Sequence, residues 1–276
     1  MPHFLFAFSF HESIDTFHRA GGTPMIDSHC HILHGLDDGA RSMEDSIWMA
    51  RIAAQSGIDT MIATPHHRNG MFVNEADRIR AEVSALNEEL DRRRIPLRVC
   101  PGQEIAWNRM LLDELDGNKL VALNDTQYLL LELPHREWPK DLDAVLYELR
   151  IRGVRPVIAH PERHPAIMER PEMALHLAEQ GAVLQLTARS VLGMLGSKPQ
   201  RTGFVLCEKG RIHLVASDSH RCTRGTAELA GAYRLLERKF GDEAVKAYRA
   251  NAFSLLRNES VAPVRIQRKS WLRAWR

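Results

Sequence analysis

Four times in this chain a helix-like run ends on a glycine and passes straight into an apolar run. Gly57 leads into Ile58-Asp59-Thr60-Met61-Ile62-Ala63, and Arg152-Gly153 into Val154-Arg155-Pro156-Val157-Ile158-Ala159. Gln180-Gly181 leads into Ala182-Val183-Leu184-Gln185-Leu186, and Lys209-Gly210 into Arg211-Ile212-His213-Leu214-Val215-Ala216. A glycine just past a helix end supplies the left-handed turn that stops the helix. Repetition of this junction commits the chain to alternating helices and strands.

The remaining segments fit the same alternation. Ser42, with Asp45 three residues on, resembles a capping box at the start of a helix. Ile47, Met49-Ala50 and Ile52-Ala53-Ala54 continue it with helical spacing. A charged helix is predicted over about 74–94, a strand over 97–100, a short helix near 108–115, a strand over 128–131 and a helix over 142–150. Two helices, 226–239 and 242–256, close the domain. Strands this apolar suit a parallel sheet covered on both faces. About seven strands alternating with helices favour a (β/α) barrel over an open sheet. With 276 residues and 44% hydrophobic content, one large barrel has enough material for its core.

Composition excludes several classes. A net charge of +2 gives no electrostatic case for nucleic acid or an acidic membrane. No apolar run reaches the roughly 18 residues of a transmembrane helix. The four cysteines, Cys30, Cys100, Cys207 and Cys222, are scattered with no CxxC pair, as in reduced cytoplasmic proteins. The apolar stretch Phe4-Leu5-Phe6-Ala7-Phe8 has no Lys or Arg before it and no clear cleavage site after it, so it does not read as a signal peptide. Residues 1–24 are read as an extension, or a mis-set start, outside a working domain that begins at Met25. That domain is expected over 25–258, with a basic, Trp-bearing tail over 259–276.

The 14 histidines are unusual, and their positions carry the chemistry. The first strand ends in His29 and His31, with Asp38 in the next loop. The second ends in Thr64-Pro65-His66-His67, and the third runs into Gly102-Gln103-Glu104. The fourth ends in Glu132, the fifth in His160-Pro161-Glu162-Arg163, and the last in Ser217-Asp218-Ser219-His220. Six of seven predicted strands thus finish in a His, Asp or Glu. In (β/α) barrels these ends form the active-site face. Buried unpaired charges are expensive, so such a ring calls for a counter-ion. Mixed imidazole and carboxylate donors suit zinc, manganese or iron, and this many donors point to more than one ion.

Multinuclear sites activate water and clamp phosphoryl oxygens. Arg163 and Arg224 stand beside the candidate ligands, and a guanidinium fork matches phosphate. Together these features point to hydrolysis of a phosphate ester. Cysteine-based tyrosine phosphatase chemistry is excluded, because it needs an Arg six residues after the Cys. Those positions hold Leu36, Ala106, His213 and Glu228.

At these residues the chain resembles the polymerase-and-histidinol-phosphatase (PHP) superfamily. More closely, it is similar to the manganese-dependent tyrosine phosphatases of bacterial capsule and exopolysaccharide operons. The matching motifs are Met25-Ile26-Asp27-Ser28-His29-Cys30-His31, Gly35-Leu36-Asp37-Asp38-Gly39-Ala40, Ala63-Thr64-Pro65-His66-His67, Gly102-Gln103-Glu104, Leu131-Glu132-Leu133-Pro134, Ile158-Ala159-His160-Pro161-Glu162-Arg163 and Ala216-Ser217-Asp218-Ser219-His220. The resemblance implies a distorted (β/α)7 TIM-like barrel of PHP fold and three divalent metal ions. One ion would take His29, His31, Glu104 and Asp218. A second would share Glu104 and take His160, with Glu132 alongside. The third would take Asp38, His66 and His220. A hydroxide bridging metal ions would attack phosphorus, with Arg163, Arg224 and Asp38 as the catalytic set. Arg224 is favoured over Arg221 because Gly225 follows it. His67 is placed next to the ligands without being one, and Asp37 is given a loop-shaping role.

Manganese is what the resemblance implies, while zinc, iron, cobalt or magnesium remain chemically open. The implied partner is a phosphotyrosine protein, a cognate bacterial tyrosine kinase, in the cytoplasm. Two other readings stand beside this one. The first is a small-molecule PHP phosphatase acting on histidinol phosphate or a nucleotide. The second is a non-catalytic metal-binding docking module.

Overall fold

A computed structural model of the chain describes residues 24–220 and 228–266. The extension expected before Met25 (apart from Pro24), Arg221, Cys222, Arg224 and most of the basic tail lie outside the described residues.

The strands are β1 (Met25–Cys30), β2 (Ile58–Ala63), β3 (His66–His67), β4 (Arg98–Pro101), β5 (Glu104–Ala106), β6 (Tyr128–Glu132), β7 (Arg155–Ala159), β8 (Val183–Thr187) and β9 (Leu214–Ala216). They pair in parallel in the orders β1-β2-β4 and β3-β5-β6-β7-β8-β9. β2 and β3 are two halves of one run, broken where Pro65 has no N–H to donate. β4 and β5 are likewise two halves of one run, separated at Gly102-Gln103. Counted as continuous runs, seven staves form a ring. A single bridge between Cys30 and Ser219 closes it, supported by His31 N donating to Ser219 O (2.8 Å) and Asp218 N to His29 O (2.9 Å). This is the expected distorted (β/α)7 barrel.

Around the ring lie α1 (Met43–Gln55), α2 (Ala76–Arg92), α3 (Leu111–Asp116), α4 (Leu142–Ile151), α5 (Pro165–Glu169), α6 (Glu172–Glu179), α7 (Ala188–Val191), α8 (Ser197–Glu208), α9 (Glu228–Phe240) and α10 (Asp242–Leu256). No helix among the described residues is long and apolar enough to cross a membrane. Cys30, Cys100 and Cys207 are buried and free.

Strand alternation sorts the core into two layers. Leu129 and Leu131 of β6, Ile158 of β7 and Leu184 and Leu186 of β8 face the helices. Tyr128 and Leu130, Val157 and Ala159, Val183 and Leu214 fill the barrel interior with Ile26 and Ile62. The C-terminal end of α10 joins this inner layer through Ala252, Leu255 and Leu256. The Tyr128 hydroxyl, at the same end, donates to Glu259 O (2.6 Å) and accepts from Val261 N (3.2 Å). The bottom of the barrel is therefore plugged by apolar packing, and the polar strand ends are left at the top.

The glycine junctions form as the sequence predicts. Gly57, Gly153, Gly181 and Gly210 all have positive φ, from 63° to 92°. At Gly153 the paired bonds of a Schellman cap are present, Gly153 N to Arg150 O (3.0 Å) and Val154 N to Leu149 O (2.9 Å). At the start of α1 the Ser42 hydroxyl accepts from Asp45 N (3.2 Å), while the Asp45 carboxylate accepts from Arg41 N (3.1 Å), one residue before the capping-box position. The strand expected over 211–216 begins only at Leu214. Arg211 N is used by the preceding helix cap on Leu206 O, and Ile212 O is taken by Val264 N. The short helix expected from 108 starts at Leu111, because the Asn108 side chain first closes a turn on Met110 N (2.8 Å).

Two stability consequences follow from this packing. Leu130 is fully buried inside the barrel. Leu130→Ala is expected to cost about 2–5 kcal/mol, measured by denaturant unfolding. His213 is buried beside β8, and its Nδ1 accepts from Leu184 N (3.0 Å). Burial, with Arg155 second, lowers its pKa to about 4. The folded state thus needs a neutral ring. Its contribution is complete above the ordinary imidazole value of 6.5 and is lost as pH falls toward 4. His213→Asn, whose amide oxygen accepts without titrating, should remove about 2 kcal/mol of the stability lost between pH 7 and 5. Identical pH slopes for the two proteins in thermal melts would refute this.

Candidate metal centre

β1 shifts register against β2 between Asp27 and Cys30, a bulge-like irregularity that re-aims side chains near the strand end. His29 and His31, both buried, bring their Nε2 atoms to 3.3 Å of each other. Each ring is held from behind. His29 Nδ1 donates to Gln185 Oε1 (2.9 Å), and the Gln185 amide is oriented by its own donation to Ser28 Oγ (3.0 Å). His31 Nδ1 donates to Asp37 Oδ2 (2.6 Å). Both Nε2 lone pairs are left facing the centre, the arrangement that outer hydrogen bonds give to metal-binding imidazoles.

Glu104, at the start of β5, is the hub. Its Oε2 lies 3.3 Å from His29 Nε2, 3.3 Å from His31 Nε2 and 3.0 Å from His66 Nδ1. Its Oε1 lies 3.0 Å from His160 Nε2. Asp218 Oδ1 lies 3.5 Å from His29 Nε2, 3.6 Å from His31 Nε2 and 3.4 Å from His220 Nδ1. Farther out, Asp38 Oδ1 is 3.7 Å from His66 Nε2 and 3.5 Å from His220 Nε2. Glu132 is 3.9 Å from His66 and 3.8 Å from His160. Arg163 Nη1 donates to Asp218 Oδ2 (2.7 Å). His160 and Asp218 both take left-handed backbone (φ 33° and 54°), so these two strands turn abruptly at the residue that faces the site.

The donor set fits divalent ions. Glu104 Oε2 and His66 Nδ1 are buried and have no hydrogen-bond partner, although they are 3.0 Å apart. Orphaned buried polar atoms of this kind are rare, and an ion between these two would satisfy both. His29 Nε2, His31 Nε2 and Glu104 Oε2 lie 3.3 Å from one another, the edge of about 3.3 Å expected around an ion bonded at roughly 2.0–2.1 Å, and Asp218 Oδ1 lies 3.5–3.6 Å from the two imidazoles. Three donor groups have all their ligand atoms within 4.8 Å of one another: His29, His31 and Glu104; His66, Glu104 and Glu132; and His31, Asp38, His66 and His220.

Electrostatics agrees. Burial works to keep His29 neutral, yet Glu104 and Asp218 raise it to about 8. Burial likewise opposes a charge on His31, and Asp37 foremost holds it well above the usual imidazole range. Burial would raise Glu104, but His29 and its other imidazole neighbours hold it well below the usual carboxylate range. The carboxylates are drawing positive charge into a closed space. A divalent ion brings that charge and leaves the imidazoles neutral.

The loops between strands are tied to one another. Asp37 accepts from His66 N (2.9 Å) and Gly39 N (2.9 Å) as well as from His31. Gly39 packs so closely that a Cβ there would lie 2.1 Å from His31 O. Buried Asn74 donates to Leu36 O (2.9 Å) and His66 O (2.8 Å), and its own carbonyl accepts from Gln103 Nε2 (2.6 Å). One residue, through its side chain and its carbonyl, thus joins the loops carrying Asp38, His66 and Glu104.

All nine sequence-predicted ligands and Arg163 come together in this arrangement, and Arg224 lies outside the described residues. His66 stands between two donor groups, beside Glu104 and Glu132 on one ring nitrogen and Asp38 on the other. His67 turns away, to Asn74 O (2.9 Å) and Glu114 Oε2 (3.4 Å). Sequence reasoning missed Gln185 and Asn74 and understated Asp37. For Gln185 a signal existed: it sits two residues after inward-facing Val183, on the one strand that otherwise brings nothing to the ring.

Known proteins show the same frame. The chain is 43% identical over 237 residues to tyrosine-protein phosphatase YwqE of Bacillus subtilis (strain 168), covering 86% of this chain and 93% of that one. It is 29% identical over 243 residues to tyrosine-protein phosphatase CpsB of Streptococcus agalactiae serotype V, covering 86% and 100%. A chain from the crystal structures of YwqE from Bacillus subtilis and CpsB from Streptococcus pneumoniae, described as unique metal-dependent tyrosine phosphatases, superposes with a TM-score of 0.83 at 42% identity, over 89% of this chain and 100% of that one. The family model "Capsular polysaccharide synthesis, CpsB/CapC" matches residues 25–257, and the chain belongs to that family.

Proposed function

We propose that this chain is a metal-dependent tyrosine-protein phosphatase of capsule or exopolysaccharide synthesis, working in the cytoplasm on a cognate bacterial tyrosine kinase. The observation that carries the reading is the ring of imidazole and carboxylate donors around the orphaned Glu104 Oε2, with Arg163 beside it. Its support is membership of a family whose relatives are named tyrosine-protein phosphatases.

Three ions, manganese by preference, would be held as follows. His29, His31, Glu104 and Asp218 form the innermost group, Glu104, Glu132 and His160 the second, and Asp38, His66 and His220 the outermost. When bound, divalent ions supply an activated water and neutralise charge on the phosphoryl oxygens. The chain's own residues do the rest. Gln185 and Asp37 keep the His29 and His31 rings aimed at the centre. Arg163 anchors one end of its fork on Asp218 and keeps 30% of its side chain exposed to meet phosphate oxygens from the mouth. Arg224, outside the described residues, is assigned the same role. Asp38, half exposed at the rim, is placed where the departing group leaves.

In manganese-replete assays, His160→Ala and Asp218→Ala should each abolish hydrolysis of a phosphotyrosine peptide while keeping the wild-type circular dichroism spectrum. Unchanged turnover would reject the site. A marked preference of the wild type for histidinol phosphate or a nucleotide over the peptide would replace the tyrosine phosphatase reading with a small-molecule one. No turnover of any phosphomonoester would leave a docking module. Asp37→Asn should weaken metal affinity by about 10–100-fold, read by competition with a chelator, because it removes the carboxylate behind His31.

A further inference from the structure

The turn that follows β3 presents apolar side chains beside the metal centre. It is built to be rigid. Arg68 N donates to Phe72 O (2.8 Å), and the Asn69 side chain accepts from both Met71 N (3.1 Å) and Phe72 N (3.0 Å). Arg68 and Gly70 take left-handed backbone (φ 58° and 94°), and Asn74 pins the turn's exit to His66 O. Phe72 is held parallel to the imidazole of His66, 6.5 Å between centroids and 6° between planes. Met71 beside it is 77% exposed.

Large exposed apolar side chains are few among the described residues, and three of them, Met71, Val73 and Met110, sit on the two loops that leave His66 and Glu104. β3 and β5 are paired with His66 opposite Glu104, so these loops rise from neighbouring staves. The fold gains nothing from exposing Met71 on a fixed turn. An apolar wall directly against a centre that binds a phosphoryl group suits an ester whose alcohol is aromatic, because the ring is carried in with the phosphate.

We infer that Phe72, flanked by Met71, is the specificity-determining surface that receives the aromatic ring of the substrate and sets a preference for aryl over alkyl phosphoryl groups. This rests on the phosphatase reading for its biological meaning but can be tested by binding alone. Two non-hydrolysable probes, phenylphosphonate and methylphosphonate, share the anionic group and differ in the ring. Calorimetry on the full-length, manganese-loaded protein would give the affinity ratio of the two.

Wild type should favour phenylphosphonate, and Phe72→Ala should reduce that ratio about tenfold with methylphosphonate affinity unchanged. Phe72→Tyr should keep the ratio. Phe72→Leu, which still covers His66 but lacks a ring, should lose most of it and serves if the alanine variant folds poorly. Equal affinity of the wild type for the two probes, or for neither, would overturn the inference. So would a parallel loss of both in the Phe72 variants, which would mark Phe72 as mere support for His66. Failure of the wild type to hydrolyse any phosphomonoester would remove the phosphatase reading instead, and the phosphonate ratio would still decide on the wall.

Discussion

A carboxylate oxygen with no hydrogen-bond donor, sealed among imidazole nitrogens, must be compensated by positive charge, from the imidazoles or from a bound ion. Glu104 Oε2 is that atom. Burying it without compensation would cost several kcal/mol, enough to consume much of a domain's net stability. Most of the site can be understood as arrangement around it. His29 and His31 reach it from β1, His66 from β3, and His160 takes the other oxygen from β7. These elements are distant in sequence and adjacent only in the closed ring.

Holding four imidazoles within reach of one carboxylate requires that none can rotate. The chain does this for two of them with a neutral and a charged partner on the far side of the ring, and adds cross-ties between loops. Gln185 does it for His29 without adding charge, while Asp37 does it for His31 and adds one. Asp37 and Asn74 then fasten neighbouring loops to each other through backbone groups, tying together the loops that carry Asp38, His66 and Glu104. The left-handed backbone at His160 and Asp218 belongs to the same logic, because strain at a site persists only where its surroundings over-determine it.

Much of this was legible in the sequence. The glycine junctions announced the αβ alternation, and the charged strand ends announced which face carried chemistry, since both depend on local residue type. What resisted was anything set by pairing across the ring. Gln185 meets His29 across 156 residues, and an amide carries no mark of a ligand. Asp37 and Asp38 are indistinguishable by spacing, yet the turn at Gly39 sends one inward as a carboxylate brace and the other to the rim. The breaks at Pro65 and Gly102-Gln103 were visible as residues, but their effect appears only when both runs are laid side by side. The helical runs before Gly181 and Gly210 are marked by their junctions, but their division into pieces of 4 to 12 residues over 165–179 and 188–208 is not, because segments punctuated by Pro165, Pro171, Gly193 and Gly196 show little periodicity.

The closure of the ring has a further consequence. Six of the seven joins between staves are strand ladders, whereas the join between the first and last is one bridge at Cys30 and Ser219 with a few flanking bonds. His29 and His31 stand on one side of that seam and Asp218 on the other. An ion held by all three would be a rivet through the joint with the fewest backbone bonds. Loading the centre would then also fasten the hoop.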